Sequence, residues 1–186
     1  MKKQIILFTV LLLGVLHAFG QDVYSCRNAN LSFFSSAPLE DIEAKTDKGV
    51  AAINAKTGAI YFKVPVNTFQ FKKKLMQEHF NENYLETEKY PWAEFKGKLS
   101  GPIDCTKNGT YDVTVDGNMT IHGVQKAYTE KGTVTVNNGQ LTATCKFNVK
   151  LEDHKIKIPT LVIKNIAEVV EVTVNATYIA AATAAK

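Results

Sequence analysis

Residues 141–151 read Leu-Thr-Ala-Thr-Cys-Lys-Phe-Asn-Val-Lys-Leu. Leu141, Ala143, Cys145, Phe147, Val149 and Leu151 alternate with Thr142, Thr144, Lys146, Asn148 and Lys150. Such alternation puts the apolar side chains on one face of a strand and the polar ones on the other. Just upstream, Asn137-Asn138-Gly139 offers residues that tolerate the left-handed backbone of a tight hairpin. The stretch predicts an antiparallel strand with one dry face and one wet face.

The same pattern recurs along the chain. Ile60, Phe62, Val64 and Val66 form one apolar row, Val113, Val115, Met119 and Ile121 a second, and Val170, Val172, Val174, Ala176 and Tyr178 a third. Shorter candidates cover 30–35, 49–54, 93–99 and 131–136. Lys56-Thr57-Gly58 and Lys107-Asn108-Gly109 supply two more hairpin turns. Short hairpins favour an antiparallel meander over parallel βαβ units. The expected class is all-β, with about eight strands, each needing to bury one face. A closed antiparallel barrel does so and removes exposed edges; a two-sheet sandwich does so too. A barrel of about eight strands is either filled by its own side chains or holds one small ligand. The inward rows are apolar, so a guest would be apolar as well.

One region departs from period two. Between Phe69 and Tyr90, Leu75, Met76, His79, Phe80 and Tyr84 fall near helical spacing, and Pro91 follows. One or two short helices are expected at 70–90. Phe69, Phe71, Leu75, Met76 and Phe80 carry much apolar surface for so short an element. They would pack over a barrel end or act as a lid touching an alkyl chain. Residues 152–160, ending near Pro159, read as a further connection.

Lys2 and Lys3 precede the apolar run Ile5–Leu16, and Ala18-Phe19-Gly20 supplies small residues for cleavage. This pattern predicts a signal peptide over 1–20, a domain over 21–180 and a disordered tail over 181–186. The protein is therefore expected to be periplasmic or secreted. The formal net charge of +4 falls to +2 without Lys2 and Lys3. That balance, with no basic stripe, argues against nucleic acid as a partner. No apolar stretch after the leader is long enough for a helical membrane span. Cys26, Cys105 and Cys145 match no metal-knuckle spacing, and a Cys105–Cys145 bridge is left open.

Two stretches resemble the YceI-like family. Residues 79–91, His-Phe-Asn-Glu-Asn-Tyr-Leu-Glu-Thr-Glu-Lys-Tyr-Pro, are similar to its first signature. Lys89-Tyr90-Pro91 match outright, and Tyr84-Leu85 stand where the family has paired aromatics. Residues 117–126, Gly-Asn-Met-Thr-Ile-His-Gly-Val-Gln-Lys, are similar to its second signature, with Met119 for Leu and Gln125 for Thr. The resemblance spans about residues 22 to 178. It implies a lipocalin-like barrel, elongated along its axis, whose apolar channel takes a polyisoprenoid chain such as a quinone tail. It attaches no catalytic residues to the fold.

No catalytic constellation competes with that reading. Ser32, Ser35 and Ser36 lack a nucleophile elbow. His79 and Glu82 stand three apart but have no third ligand, and read as a solvated pair. His79 would pack near Trp92 or reach a ligand headgroup at a barrel mouth. His122 is expected to make a structural hydrogen bond near a turn. The working residues are taken to be the inward apolar ones: Phe62, Val64, Phe69, Phe71, Met76, Phe80, Trp92, Phe95, Met119, Ile121 and Phe147. The expected protein is a non-enzymatic carrier, scavenger or store of an isoprenoid quinone or fatty lipid, with no cofactor or metal. A filled barrel that docks a partner protein is the alternative, and oligomeric state, a homodimer included, is open.

Overall fold

A computed structural model describes residues 23–101, 103–159 and 166–180. The expected leader, the expected tail and Thr160 lie outside the described residues. Nine strands are described: β1 Val23–Ser36, β2 Asp41–Asn54, β3 Ala59–Pro65, β4 Gln70–Phe71, β5 Trp92–Ser100, β6 Gly109–Ile121, β7 Val124–Asn137, β8 Gln140–Lys150 and β9 Val169–Ala180. Every pairing is antiparallel. The order β1-β9-β8-β7-β6-β5-β3-β2 returns to β1, so eight strands close a barrel and the sandwich alternative falls. The two-residue β4 hangs on the upper part of β2, beside Ala44 and Lys45.

β1, β2 and β7 each run 14 residues. At 3.3 Å per residue each spans about 45 Å, so the barrel is tall. The sequence pattern caught only parts of these strands. In β1, Tyr24 and Cys26 are buried, but so are Ala29 and Leu31. The ladder to β2 shifts register between Cys26 and Ala29, and again between Ala29 and Leu31. These irregularities change which parity faces inward, and each half then reads as a short strand. In β7 the upper half is obscured by Tyr128 and Glu130, which interrupt the apolar row.

The two ends of the barrel differ. The lower end is closed by connections that include tight turns at Gly58 (φ 74°) and Asn138-Gly139 (φ 49° and 79°). The upper end carries the β1–β2 link, residues 66–91, the β6–β7 turn and the segment before β9. The β6–β7 turn, His122-Gly123, is also two-residue, with φ of 52° and 71°. Both two-residue turns use the left-handed conformations that suit right-twisted hairpins. At the upper end β3 leaves the wall at Pro65, which has no N–H to donate. The chain then forms a short turn, β4, a single helix α1 (Lys74–His79) and a wide π-type turn at Phe80–Tyr84. There the Leu85 N–H donates to the Phe80 carbonyl at 2.9 Å. No described helix is long and apolar enough to cross a membrane.

Candidate functional site

Alternation along the strands sends one residue in two into the barrel, and these residues behave differently at its two ends. Towards the lower end they mesh. Leu141, Val134, Val136, Ala176 and Tyr178 are almost completely buried, with Ala51, Ile53 and Cys26 beside them. Higher up, Phe33, Phe62, Phe95, Met119, Phe147, Val172 and Val174 point inward yet stay only half-buried. They border a cavity of about 390 Å³ that runs from Leu99, Val113 and Tyr178 to Met76, His79 and Glu40 at the upper end. That volume lies in the range of small-molecule sites, about 300–1,000 Å³.

A cluster of aromatic rings covers the upper end. The Phe33 ring centroid lies 5.4 Å from Phe69, 5.7 Å from Phe71 and 5.5 Å from Phe80, and Phe71 lies 5.0 Å from Phe80. Aromatic rings prefer such tilted and offset contacts. Polar ties fasten the cover. The Thr46 and Thr68 hydroxyls are 2.8 Å apart, and the Phe71 N–H donates to the Gln77 side-chain oxygen at 3.4 Å. Lys73 pairs with Glu40 of the β1–β2 link. Ser35, 2 % exposed, accepts the Ala167 N–H at 2.9 Å and so binds the segment before β9 to β1.

Few polar side chains face the cavity. Tyr128 and Glu130 do so from β7, and Cys145 from β8. The Cys145 thiol donates to the Lys131 carbonyl at 3.3 Å. Burial, then the Glu130 charge, pushes its pKa up to about 11, so it stays a thiol. Burial also raises the Glu130 carboxyl above its ordinary range. His154 is fully buried behind Tyr128. Its Nδ1 faces the Val124 carbonyl at 3.0 Å and therefore carries the proton. Its Nε2, 2.9 Å from the Tyr128 hydroxyl, then accepts from it. Outside this pair, His122 Nδ1 lies 3.2 Å from the His154 carbonyl and Nε2 lies 2.6 Å from the Glu86 carboxylate. The structural role expected of His122 is thus found, and it ties residues 85–90 to the β6–β7 turn.

Ten of the eleven predicted residues line the cavity: Phe62, Val64, Phe69, Phe71, Met76, Phe80, Phe95, Met119, Ile121 and Phe147. Trp92 does not, and is corrected. It is 45 % exposed, with the Lys63 ammonium 4.1 Å above its ring on the outer wall. Phe95 faces inward, so Trp92, three residues earlier, must face outward; the parity was legible in the sequence. His79 is exposed and lines the upper end of the cavity. All three cysteines are free, so no Cys105–Cys145 bridge forms. Phe33, Ile42, Tyr128 and Glu130 also line the cavity and were missed. Phe33 lay in a candidate strand, but nothing nearby marked which face was inner.

The family model described as YceI-like domain matches residues 28–178. No curated protein sequence matches the chain significantly. Among solved structures, a polyisoprenoid-binding domain from Saccharophagus degradans implicated in plant cell wall breakdown is similar. It superposes with a TM-score of 0.71 at 16% identity, over 87% of this chain and 99% of that one. BcnA from Burkholderia cenocepacia gives 0.68 at 19% identity, over 80% and 95%. A YCEI protein from Campylobacter jejuni gives 0.53 at 14% identity, over 69% and 78%. At such identities the likeness speaks for the fold.

Proposed function

The chain belongs to the YceI-like family, and from that premise we propose that it is an exported, non-catalytic binding protein that holds one long-chain lipid, isoprenoid or fatty, in its barrel. One observation carries the reading. The inward apolar rows of the upper barrel do not mesh but bound a cavity of about 390 Å³. A barrel acting only as a docking module has no need of that space. The similar domain from Saccharophagus degradans, described as polyisoprenoid-binding, supports the choice of ligand class.

The energetics suit such a guest. Each CH₂ removed from water is worth about 0.8 kcal/mol, so about ten buried carbons give roughly 8 kcal/mol before ordering costs. Few polar contacts are then required. The Phe33–Phe69–Phe71–Phe80 cover shields the chain from water once it is in, and its helix would move to let the lipid pass. Export rests on Lys2, Lys3 and the apolar run to Leu16. Carriage or storage between membranes would follow from it.

Organic extraction of the purified protein, with native mass spectrometry, is expected to recover a long-chain lipid at one per chain. Phe147→Asp places a charge in the cavity wall and should abolish uptake of a fluorescent fatty acid while the far-ultraviolet β signal persists. Full uptake by the folded variant would reject the cavity as the site.

A further inference from the structure

The inner wall is apolar nearly throughout, so an ionisable side chain inside it calls for an explanation. Glu130 sits at the middle of β7, opposite Val115 of β6, on the inward-facing parity. It borders the cavity and is half-buried. Among the described residues no cation lies within ion-pair distance of it, and none of the side-chain hydrogen bonds involves it. Its neighbour on the same face, Tyr128, lies two residues up the strand, about 7 Å away.

The wall also changes at this height. The β7–β8 ladder runs from Asn137↔Gln140 only as far as Gly132↔Cys145. Both strands continue, β7 up to Val124 and β8 down the sequence to Lys150, without pairing there. Above Gly132 the seam is bridged by side chains instead. Cys145 donates to the Lys131 carbonyl and His154 to the Val124 carbonyl. Glu130 therefore lies where the two strands part.

The hydrogen-bonding capacities of the two side chains are complementary. The Tyr128 hydroxyl spends its proton on His154 Nε2, which leaves its oxygen free to accept. Glu130 faces this cavity with no cation beside it, and a carboxyl so placed takes up a proton when an apolar ligand displaces the water around it, which makes it a donor in the complex. One acceptor and one donor on the same face match a hydroxyl group, and the donor alone matches a carbonyl.

We propose that Glu130 and Tyr128 form a polar seat half-way along the channel, which binds a hydroxyl or carbonyl oxygen carried by the lipid. The inference rests on the channel being a lipid site and narrows the lipid to one with an oxygen function inside the barrel. The alkyl chain lies against the apolar wall on either side of the seat, and the seat sets its depth.

The test compares diheptyl ketone with pentadecane, two probes of equal chain length that differ in one mid-chain carbonyl. Each competes with a fluorescent fatty acid for the wild-type protein, Glu130→Leu and Glu130→Gln. Wild type should favour the ketone by about tenfold, the worth of one buried hydrogen bond. Glu130→Leu should erase that preference while still binding pentadecane, and Glu130→Gln, which keeps a donor, should retain part of it. The infrared carbonyl stretch of ketone bound to wild type should lie below its value in alkane, which needs no variant to fold. Equal preference in wild type and Glu130→Leu, or an unshifted carbonyl stretch, overturns the seat and leaves the channel standing. Failure of wild type to bind either probe overturns both.

Discussion

At the scale of single residues, His154 shows how a polar group can be safe in an apolar wall. It has no exposure, and both ring nitrogens are satisfied, by the Val124 carbonyl and the Tyr128 hydroxyl. Burial is the largest influence on it and lowers its pKa below the ordinary histidine value, against the opposing pull of the Val124 carbonyl. The unfolded chain therefore takes up the proton first. The stability due to neutral His154 is complete above about pH 6.5 and is lost as pH falls through the lower folded value. His154→Leu should cost about 1–3 kcal/mol at pH 7, because the Tyr128 hydroxyl loses its acceptor and the Val124 carbonyl its donor. The same variant should lose less stability than wild type between pH 7.5 and pH 5. Glu130, whose pKa is raised by burial and so acts with the opposite sign, contributes equally to both proteins and drops out of the difference. Thermal unfolding followed by circular dichroism across that range checks both statements, and parallel curves for the two proteins would refute the assignment. None of this was legible in the sequence, since the partners of His154 lie 26 and 30 residues away. His122 was legible, because it adjoins Gly123 and a turn.

At the scale of elements, the β5–β6 pair contains a device that alternation alone cannot reveal. Gly97 stands directly opposite Gly117, and both fall in the inward rows of Phe95–Leu99 and Val115–Met119. The Phe95 ring lies over the gap they leave. A Cβ on Gly117 would come within 2.7 Å of Phe95 Cζ, 2.6 Å of the Gly97 Cα and 2.4 Å of the Lys96 carbonyl oxygen. Neither glycine is needed for its backbone angles; both are needed for the space. Gly117→Ala should destabilise by about 1–3 kcal/mol, the usual cost of overpacking, and push the Phe95 ring into the channel. Lipid uptake should fall with it. Gly109→Ala, where the nearest atom would lie 3.7 Å away, should stay within about 0.5 kcal/mol of wild type. Urea unfolding of both variants decides the matter, and equal midpoints would remove the packing explanation. The period-two rows of β3, β6, β8 and β9 were readable because nothing disturbs their parity. β1 and β2 were half-readable because register shifts break it. The upper part of β7 was unreadable because its inner face carries Tyr128 and Glu130 in place of aliphatics.

At the scale of the whole molecule, the number of strands and their antiparallel order followed from alternation and turns, whereas closure and hollowness did not. Whether facing rows meet or stand apart depends on barrel girth, which no single strand encodes. The structure resolves this unevenly along the axis: the lower end is packed and the upper end is hollow. That division predicts a separation of stability from binding. Leu141 is 1 % exposed among Val134, Val136 and Tyr178, so Leu141→Ala should leave a void and cost about 2–5 kcal/mol. Phe147 borders the cavity and already has open space on one side. Phe147→Ala should cost less than Leu141→Ala although it removes the larger side chain, and should weaken fatty-acid binding more. Urea midpoints and dissociation constants measured on the same two variants test the claim together. If both variants lose stability in proportion to the volume removed, the upper barrel is packed like the lower one and holds no guest. If Leu141→Ala lowers stability and spares affinity while Phe147→Ala does the reverse, the packed end serves as the scaffold that keeps the hollow end open against collapse.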